Sequence, residues 1–169
     1  DQDLAQIWQN KFDEQRPKVG LVWSGNSKRQ DDWMRSCPAE FLHSILDVEG
    51  CHFVSLQKEG VPQSLAPLHD LSSELTDFSQ TAAAIMALDL VITVDTAVAH
   101  LAGALGKPVW VMLGYTADWR YLLKREDSPW YPTMRLRRQT KPGDWDGLTI
   151  KLASELKKWI LVECPQGEI

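Results

Sequence analysis

One segment, LVITVDTAVAHLAGALGKPVWVMLG at residues 90–114, constrains the fold more than any other part of the chain. Leu90–Val94 is apolar and β-branched, which predicts a strand that is buried on both faces. Asp95-Thr96 ends this strand, and the small residues of Ala97–Leu105 favour a closely packed helix. A glycine and a proline then favour a helix end before a second apolar run, Pro108–Leu113. The segment therefore predicts a strand, a sharp turn, a helix and a second strand.

Strands and helices alternate along the rest of the chain. Further strands are predicted at Lys18–Trp23, Cys51–Leu56 and Met134–Gln139, with Leu71 in a short edge strand. Further helices are predicted at residues 1–13, Ala39–Val48, Phe78–Leu88 and Leu148–Leu161, with one or two helical turns at Ala117–Leu123. This alternation is typical of a Rossmann-like three-layer α/β/α fold with a mainly parallel sheet of about five or six strands. We expect one domain at residues 17–161, a helix or linker at residues 1–16, and a tail at residues 162–169.

The charge and hydropathy of the chain argue against two classes of partner. A formal net charge of −5 gives no general attraction to nucleic acid or to acidic membrane surfaces. No apolar run approaches the roughly 20 residues that a membrane-spanning helix needs. No secretory leader is visible, but the chain begins without Met and in helix-like sequence, so we expect it to be a fragment of a longer protein.

The three cysteines, Cys37, Cys51 and Cys164, are odd in number and widely spaced. They form no CxxC motif and have no histidine at the spacing of a metal ligand. We therefore interpret them as reduced structural thiols, predict no metal site, and expect a cytoplasmic location.

Asp95, Thr96 and His100 are polar residues between a buried strand and the first turn of the next helix. The N-terminus of a helix favours an anion such as a phosphate. Thr96 would cap the helix, donate its hydroxyl to a phosphate oxygen, or do both. Asp95 would accept hydrogen bonds from sugar hydroxyls or fix the turn. His100 would donate to a phosphate or lie in the core.

A second polar turn, Ser24-Gly25-Asn26, follows the first predicted strand. If the strand order is the common 3-2-1-4-5, this turn and Asp95-Thr96-Ala97 flank the point where the strand order reverses. Two small polar turns at such a crevice suit a phosphate-bearing ligand. Arg35 would offset the charge of a diphosphate, with Lys28 and Arg29 as competitors.

Other polar side chains follow the neighbouring strands. Gln57 closes the second predicted strand, where an amide suits a base or a ribose. Tyr115 and Thr116 follow the strand at Pro108–Leu113 and would face the same rim. The assignments depend on the convergence of these residues, because a single charged or polar residue on a loop is usually only solvated.

Several well-known motifs are absent from the sequence. It contains no GxGxxG and no GxxxxGK[ST], which argues against a dinucleotide dehydrogenase and against a P-loop NTPase. It also contains no GxSxG nucleophile elbow.

The block DTAVAHLAGALGKPVWVMLGYTADWRYL fits the pattern D-[ST]-[GA]-x-x-H-x-x-x-A-x-G-x-P. Five further blocks accompany it: KVGLVWSGN, RSCP, FVSLQK, LTDFSQTAA and REDSPWYPTMRLRRQ. As a set, the blocks resemble the heptosyltransferase-like glycosyltransferases of family 9. The resemblance covers about residues 17–160 and is closest to the domains found behind tetratricopeptide repeats in bacterial proteins.

This resemblance implies a fold and a set of site residues. The fold is GT-B, two Rossmann-like halves around a catalytic cleft, and this chain resembles only the C-terminal half, which binds the donor. The implied donor-binding residues are Ser24, Gly25 and Arg35 near the diphosphate, Asp95, Thr96, Ala97 and His100 at phosphate and sugar, and Gln57 and Phe78 beside the nucleoside. Asn26 and Tyr115 complete the candidate set from the strand-end argument.

The resemblance also implies a function. The chain would bind the nucleoside diphosphate-sugar of an inverting, metal-independent glycosyltransferase that needs no cofactor, and the absence of a DxD motif agrees with this. The acceptor would be a glycan, a lipid or a protein. The catalytic base would come from an upstream acceptor-binding half, so we expect the isolated chain to be inactive. Arg35-Ser36-Cys37-Pro38 differs from the Lys before Trp-Pro of the lipopolysaccharide heptosyltransferases, so ADP-heptose is not assigned as donor.

Two alternative functions fit parts of the sequence. A non-catalytic nucleotide-sugar-binding or scaffold module, attached to tetratricopeptide repeats, fits a chain without an acceptor half. An epimerase or hydrolase of nucleotide sugars would need carboxylates as acid and base in the crevice. Only Asp95, and more distantly Asp118, meets that need.

Overall fold

The computed structural model describes residues 2–12, 15–65 and 68–163. The helices are α1 (Gln2–Gln9), α2 (His43–Leu46), α3 (Phe78–Met86), α4 (Ala97–Ala104) and α5 (Trp145–Glu163). The strands are β1 (Lys18–Val22), β2 (His52–Ser55), β3 (His69–Asp70), β4 (Leu90–Val94), β5 (Val109–Leu113) and β6 (Met134–Arg138). Short 3-10 turns lie at Asp32–Met34, Ala39–Leu42, Gln63–Leu65 and Trp119–Tyr121.

The strands of the described residues form one parallel sheet in the order β3-β2-β1-β4-β5-β6. β1 and β4 lie side by side at its centre, with Val19 opposite Leu90 and Val22 opposite Thr93. The order reverses between them, because β2 and β3 continue to one side and β5 and β6 to the other. The structure confirms the Rossmann-like α/β fold and has the order 3-2-1-4-5 on which the position of the crevice depends, with β6 added at the far edge. Every strand therefore ends at the same edge of the sheet.

Two apolar cores flank the sheet, one on each face. Successive residues of a strand point to opposite faces, so Val91 enters one core and Ile92 the other. α1, α3 and α4 contribute to the Val91 core, and α2 and α5 contribute to the Ile92 core. Every residue of β4 and β5 is buried, as expected for strands with helices on both faces.

The N-terminal helix α1 packs against α3. Trp8 and Phe12 enter the core, and the Trp8 indole donates a hydrogen bond to Gln80 Oε1 over 3.0 Å. Ile7, one residue before Trp8, is 55% exposed. Residues 1 and 13 of the predicted helix lie outside the described residues.

The helix predicted at Ala39–Val48 is shorter and more tightly wound than expected. It consists of the 3-10 turn Ala39–Leu42 followed by α2, a single α-helical turn. Leu42, the last residue of the 3-10 turn, and Ile45 in α2 are both fully buried in the core. Gly50, at φ +89°, then reverses the chain into β2.

The final helix α5 begins at Trp145, three residues before the predicted Leu148. Trp145 is only 4% exposed and packs in the Ile92 core, which extends the helix into the predicted loop. β6 confirms the strand predicted at Met134–Gln139 and ends at Arg138, with Met134 and Leu136 buried and Arg135 exposed between them. Cys164 and most of the predicted tail lie outside the described residues.

The helices of the described residues do not have the properties of a membrane span. The longest, α5, has 19 residues but carries charged side chains along its length. No helix in the part of the chain that the structure describes is long and apolar enough to cross a membrane.

We expect Asp77→Ala to lower the free energy of unfolding by about 1 kcal/mol, the usual cost of losing a helix N-cap. Asp77 precedes α3 with an extended backbone, and its carboxylate accepts a hydrogen bond from the Gln80 amide over 2.9 Å. Urea unfolding measures the change. Ser79→Ala, an exposed substitution in the first turn of the same helix, is the control and should change stability by much less. Equal losses in the two variants would contradict the capping role.

Candidate ligand-binding site at the centre of the sheet edge

The central pair of strands brings the two predicted polar turns together. β1 leads into Ser24–Asn26, and β4 leads into Asp95–Thr96 and α4. Between them lies a cavity of about 340 Å³, which we call the turn cleft. Its lining includes Ser24, Gly25, Asn26, Arg35, Gln57, Lys58, Glu59, Thr96, Ala97 and Val98. Seven of the eleven candidate residues named from the sequence therefore line one cleft, at the point where the strand order reverses.

The N-terminus of α4 opens into the turn cleft. Thr96 is its N-cap residue, with an extended backbone at φ −138°, but its side chain makes no capping hydrogen bond. The Thr96 hydroxyl instead lies 3.1 Å from the hydroxyl of Thr93, which is buried in β4. The first N–H groups of the helix are thus left without a side-chain cap, and they favour an anion.

Gln57 holds the turn after β1 in place. Its Oε1 accepts hydrogen bonds from the Trp23 and Ser24 amides over 3.3 and 3.2 Å. Its Nε2 donates to the Ser24 hydroxyl over 2.8 Å and to Glu59 Oε2 over 2.7 Å. Gln57 is 3% exposed, and these bonds occupy its amide. Its role in the structure is therefore to shape the turn, and contact with a base or ribose stays a prediction.

Arg35 forms the wall at which the turn cleft ends. A Cβ atom at Gly25 would lie 2.7 Å from Arg35 Nη2 and 2.7 Å from Asp32 Oδ1, so a larger residue there would displace the ends of both side chains. Arg35 Nε is 3.4 Å from Asp32 Oδ1, and the Ser36 hydroxyl donates to the other Asp32 oxygen over 2.8 Å. The Ser36 hydroxyl also accepts the Gly25 amide over 2.9 Å, which joins the loop to the turn.

Asp95 lies beside Arg35 and is only partly accessible to solvent. Its Oδ2 is 3.8 Å from Arg35 Nη1, and its Oδ1 is 4.0 Å from His100 Nε2. Oδ1 also accepts a hydrogen bond of 2.7 Å from the Tyr121 hydroxyl. Burial raises the pKa of Tyr121, and the Asp95 carboxylate adds to the shift, so this hydroxyl remains a neutral donor.

A second cavity, of about 410 Å³, lies on the other side of Arg35 and Asp95, and we call it the loop cleft. It is lined by Arg29, Asp31, Met34, Arg35, Asp95, Met112, Leu113, Gly114, Thr116, Ala117, Asp118 and Arg120. The 3-10 turn Asp32–Met34 forms one wall, and a Cβ atom at Gly114 would lie 2.3 Å from the Met34 carbonyl oxygen. The Arg29 guanidinium donates two hydrogen bonds to Asp31 and lowers the pKa of that carboxyl to about 2.

Two of the candidate residues lie apart from this arrangement. Phe78 is the first residue of α3 and is 66% exposed, and it does not line either cleft. Tyr115 is 56% exposed and lines a small separate cavity with Trp33 and Gln139. Seven of the eleven candidates thus line the turn cleft, and Asp95 and His100 lie next to each other beside Arg35. Phe78 and Tyr115 are outside this group.

Sequence reasoning missed two tyrosines of the long connection between β5 and β6. Tyr121 contacts Asp95, and the Tyr131 hydroxyl lies 3.3 Å from His100 Nδ1. The connection has no periodic pattern that would indicate which side chains turn inward. The only signal was that both tyrosines fall within the blocks that carry the family resemblance.

The comparisons with known proteins agree with this fold. The family model for glycosyltransferase family 9 (heptosyltransferase) matches residues 63–130. Protein FlbA of Caulobacter vibrioides is 29% identical to this chain over 151 residues, which cover 83% of this chain and 25% of FlbA. ADP-heptose lps heptosyltransferase II of E. coli is similar in structure, with a TM-score of 0.62 and 19% identity over 96% of this chain and 53% of that chain.

A glycosyl transferase family 9 structure from Veillonella parvula gives a TM-score of 0.55 and 15% identity, over 92% of this chain and 49% of that chain. The two structural likenesses show that the chain shares the fold of part of each solved protein. The chain spans about half the length of the two solved structures and a quarter of FlbA.

We expect Cys37 to resist alkylation in the folded protein. It is 1% exposed, its amide donates to the Trp23 carbonyl over 2.7 Å, and burial raises the pKa of its thiol to about 12. Only the thiolate is nucleophilic, and at pH 8 almost none is present. Peptide mass spectrometry after iodoacetamide treatment at pH 8 should find Cys37 modified in urea-unfolded protein and unmodified in native protein. Rapid labelling of Cys37 in the native protein would show that this loop opens.

Proposed function

We propose that this chain is the donor-binding, C-terminal half of a GT-B glycosyltransferase and that it binds a nucleoside diphosphate-sugar in the turn cleft. The observation that carries the proposal is the meeting of the Ser24–Asn26 turn, the uncapped N-terminus of α4 and Arg35 in one cleft. The family model match and the heptosyltransferase folds support the same ligand class.

The diphosphate would lie against the N-terminus of α4. Backbone N–H groups there, together with the helix dipole, favour negative charge. The Thr96 hydroxyl does not cap the helix, and it would turn from the Thr93 hydroxyl, 3.1 Å away, to donate to a phosphate oxygen. Arg35 supplies the countercharge from the opposite wall of the cleft. Asp95, at the border with the loop cleft, would accept hydrogen bonds from sugar hydroxyls.

The proposed reaction is an inverting transfer that uses no metal. An acceptor hydroxyl oxygen attacks the anomeric carbon, and the bond between that carbon and the diphosphate oxygen breaks. The hydroxyl proton passes to a base on the acceptor-binding half. The leaving nucleoside diphosphate keeps the electron pair, and the helix N-terminus and Arg35 stabilise its charge.

The acceptor-binding half would precede this chain in a longer protein. The chain spans about half of the two solved structures with this fold, which leaves room for such a half. The chain spans only a quarter of FlbA. We therefore also propose that the longer protein carries further domains, including tetratricopeptide repeats. We also propose a cytoplasmic location, since Cys37 is a buried free thiol, as is common in reducing compartments.

A second candidate function is a non-catalytic nucleotide-sugar-binding or scaffold module. The contacts of Asp95 suit it, because a carboxylate that accepts a hydrogen bond from Tyr121 and lies near Arg35 is placed to orient a ligand rather than to react with it. The two candidates differ in one measurable result. A protein containing both this chain and an acceptor half should release nucleoside diphosphate from its donor only if it is a transferase.

We expect Arg35→Ala to weaken the binding of a nucleoside diphosphate about 10- to 100-fold. A hydrogen bond to a charged group contributes about 1.5–3 kcal/mol to the free energy of binding, and its loss raises the dissociation constant by about 10- to 100-fold. Calorimetric titration with UDP, GDP, ADP and CDP, and with a sugar conjugate of each, measures the dissociation constants.

Lys28→Ala is the matched control, because Lys28 is an exposed cation on the same loop and should have little effect. Equal weakening by the two substitutions would indicate attraction by net charge alone. If none of the nucleotides or conjugates binds the unaltered chain, the proposed function is wrong.

A further inference from the structure

We propose that Tyr121 is a positioning residue of the donor site, which holds the Asp95 carboxylate away from Arg35 and thereby keeps the Arg35 guanidinium available to the diphosphate. The inference rests on the proposed function. Tyr121 is 2% exposed, and its hydroxyl donates a hydrogen bond to Asp95 Oδ1 over 2.7 Å.

The distances around Arg35 indicate that its hydrogen-bond donors are not consumed. Charge-assisted hydrogen bonds between a guanidinium and a carboxylate measure about 2.7–2.9 Å. Arg35 Nη1 lies 3.8 Å from Asp95 Oδ2, beyond hydrogen-bond distance, and the buried Nε lies 3.4 Å from Asp32 Oδ1. Arg35 is therefore held near two carboxylates by charge, and among the described residues no group takes up the Nη donors that a ligand would use.

The Asp95 carboxylate would form a closer pair with Arg35 if nothing prevented it. A guanidinium and a carboxylate at this separation favour a bidentate arrangement with two parallel hydrogen bonds. The hydrogen bond from Tyr121 occupies Oδ1 and leaves only Oδ2 facing Arg35. Removing the Tyr121 hydroxyl would release the carboxylate to close on Arg35 and compete with a phosphate.

The backbone around Tyr121 is held in a conformation that needs support. Leu122, the next residue, has φ +55° and ψ −170°, which is unfavourable for a residue other than glycine. Arg138, at the end of β6, donates from Nη2 to the carbonyl oxygens of both Tyr121 and Leu122. The Trp130 indole also donates to the Arg120 carbonyl over 3.1 Å. The segment is thus fixed at several points, and each helps to place the Tyr121 hydroxyl.

The ring of Tyr121 is held as well as its backbone. It stacks on the His100 ring, with centroids 6.3 Å apart and an angle of 19° between the planes. His100 is restrained from the other side by Tyr131, whose ring occupies space that a Cβ atom at Gly103 would fill. Burial raises the pKa of Tyr121, so that its hydroxyl stays protonated and can only donate to the carboxylate.

A double-mutant cycle tests the proposal. Tyr121→Phe removes the hydroxyl and keeps the ring that stacks on His100. We expect it to weaken the binding of the tightest of UDP, GDP, ADP and CDP about 10-fold. In an Asp95→Ala background no carboxylate can close on Arg35, so the same substitution should change affinity less than twofold. A residue that only stabilised the fold would give the same loss in both backgrounds.

A second variant and a second measurement guard against misfolding. Arg138→Ala removes the hydrogen bond to the Tyr121 carbonyl oxygen and keeps the Tyr121 hydroxyl. Like Tyr121→Phe, it should weaken nucleotide binding when Asp95 is present and have little effect in the Asp95→Ala background. NMR of the Arg35 Nη1–H group, which faces Asp95 Oδ2, needs no ligand. Its resonance should move on Tyr121→Phe, as expected for a new hydrogen bond to Asp95, and should not move when Asp95 is absent.

The outcomes separate this inference from the proposed function. If the unaltered chain binds a nucleoside diphosphate and Tyr121→Phe binds it equally well, the positioning role is wrong and the proposed function stands. The same conclusion follows if the loss is equal with and without Asp95. If the unaltered chain binds no nucleotide, both proposals fail.

Discussion

The pairing of β1 with β4 at the centre of the sheet is the interaction on which the candidate site depends. Because the two strands are parallel and in register from Val19–Leu90 to Val22–Thr93, their carboxyl ends lie at the same level. The turn after β1 and the N-terminus of α4 consequently face each other. Burial of β4 on both faces fixes this register, since a shift by one residue would exchange the residues of the two cores.

The electrostatic character of the site follows from that geometry. The end of α4 and Arg35 provide positive potential, whereas Asp32 and Asp95 lie close to Arg35 without forming short hydrogen bonds to it. Gly25 makes this close approach of loop and turn possible. The Arg35 guanidinium is therefore oriented by two carboxylates and still has N–H donors for a ligand. The chain as a whole has a net charge of −5. Attraction for an anion is therefore local to the cleft.

Much of the fold and part of the site could be predicted from the sequence. Buried β-branched runs alternating with helices predicted the parallel α/β sheet, and small polar residues after β1 and β4 predicted the turn cleft once the common strand order was assumed. The partners of Asp95 and His100 could not be predicted, because Tyr121 and Tyr131 come from an irregular connection whose path depends on Arg138 and on Leu122 at positive φ. Gln57 was expected to face a ligand, but its amide bonds inward to a turn distant in sequence, which no local pattern reveals.

The central claim is that one anion, a nucleoside diphosphate, contacts both turns at once. Titration of the isotopically labelled chain with UDP, GDP, ADP and CDP, followed by amide NMR, tests it most directly. The account predicts that at least one nucleotide shifts the amides of Ser24–Asn26 and of Thr96–Val98 together, with a single dissociation constant. Saturable shifts confined to another part of the chain, such as the opposite edge of the sheet around Asp89 and Lys107, or no shifts with any of the four, would contradict it.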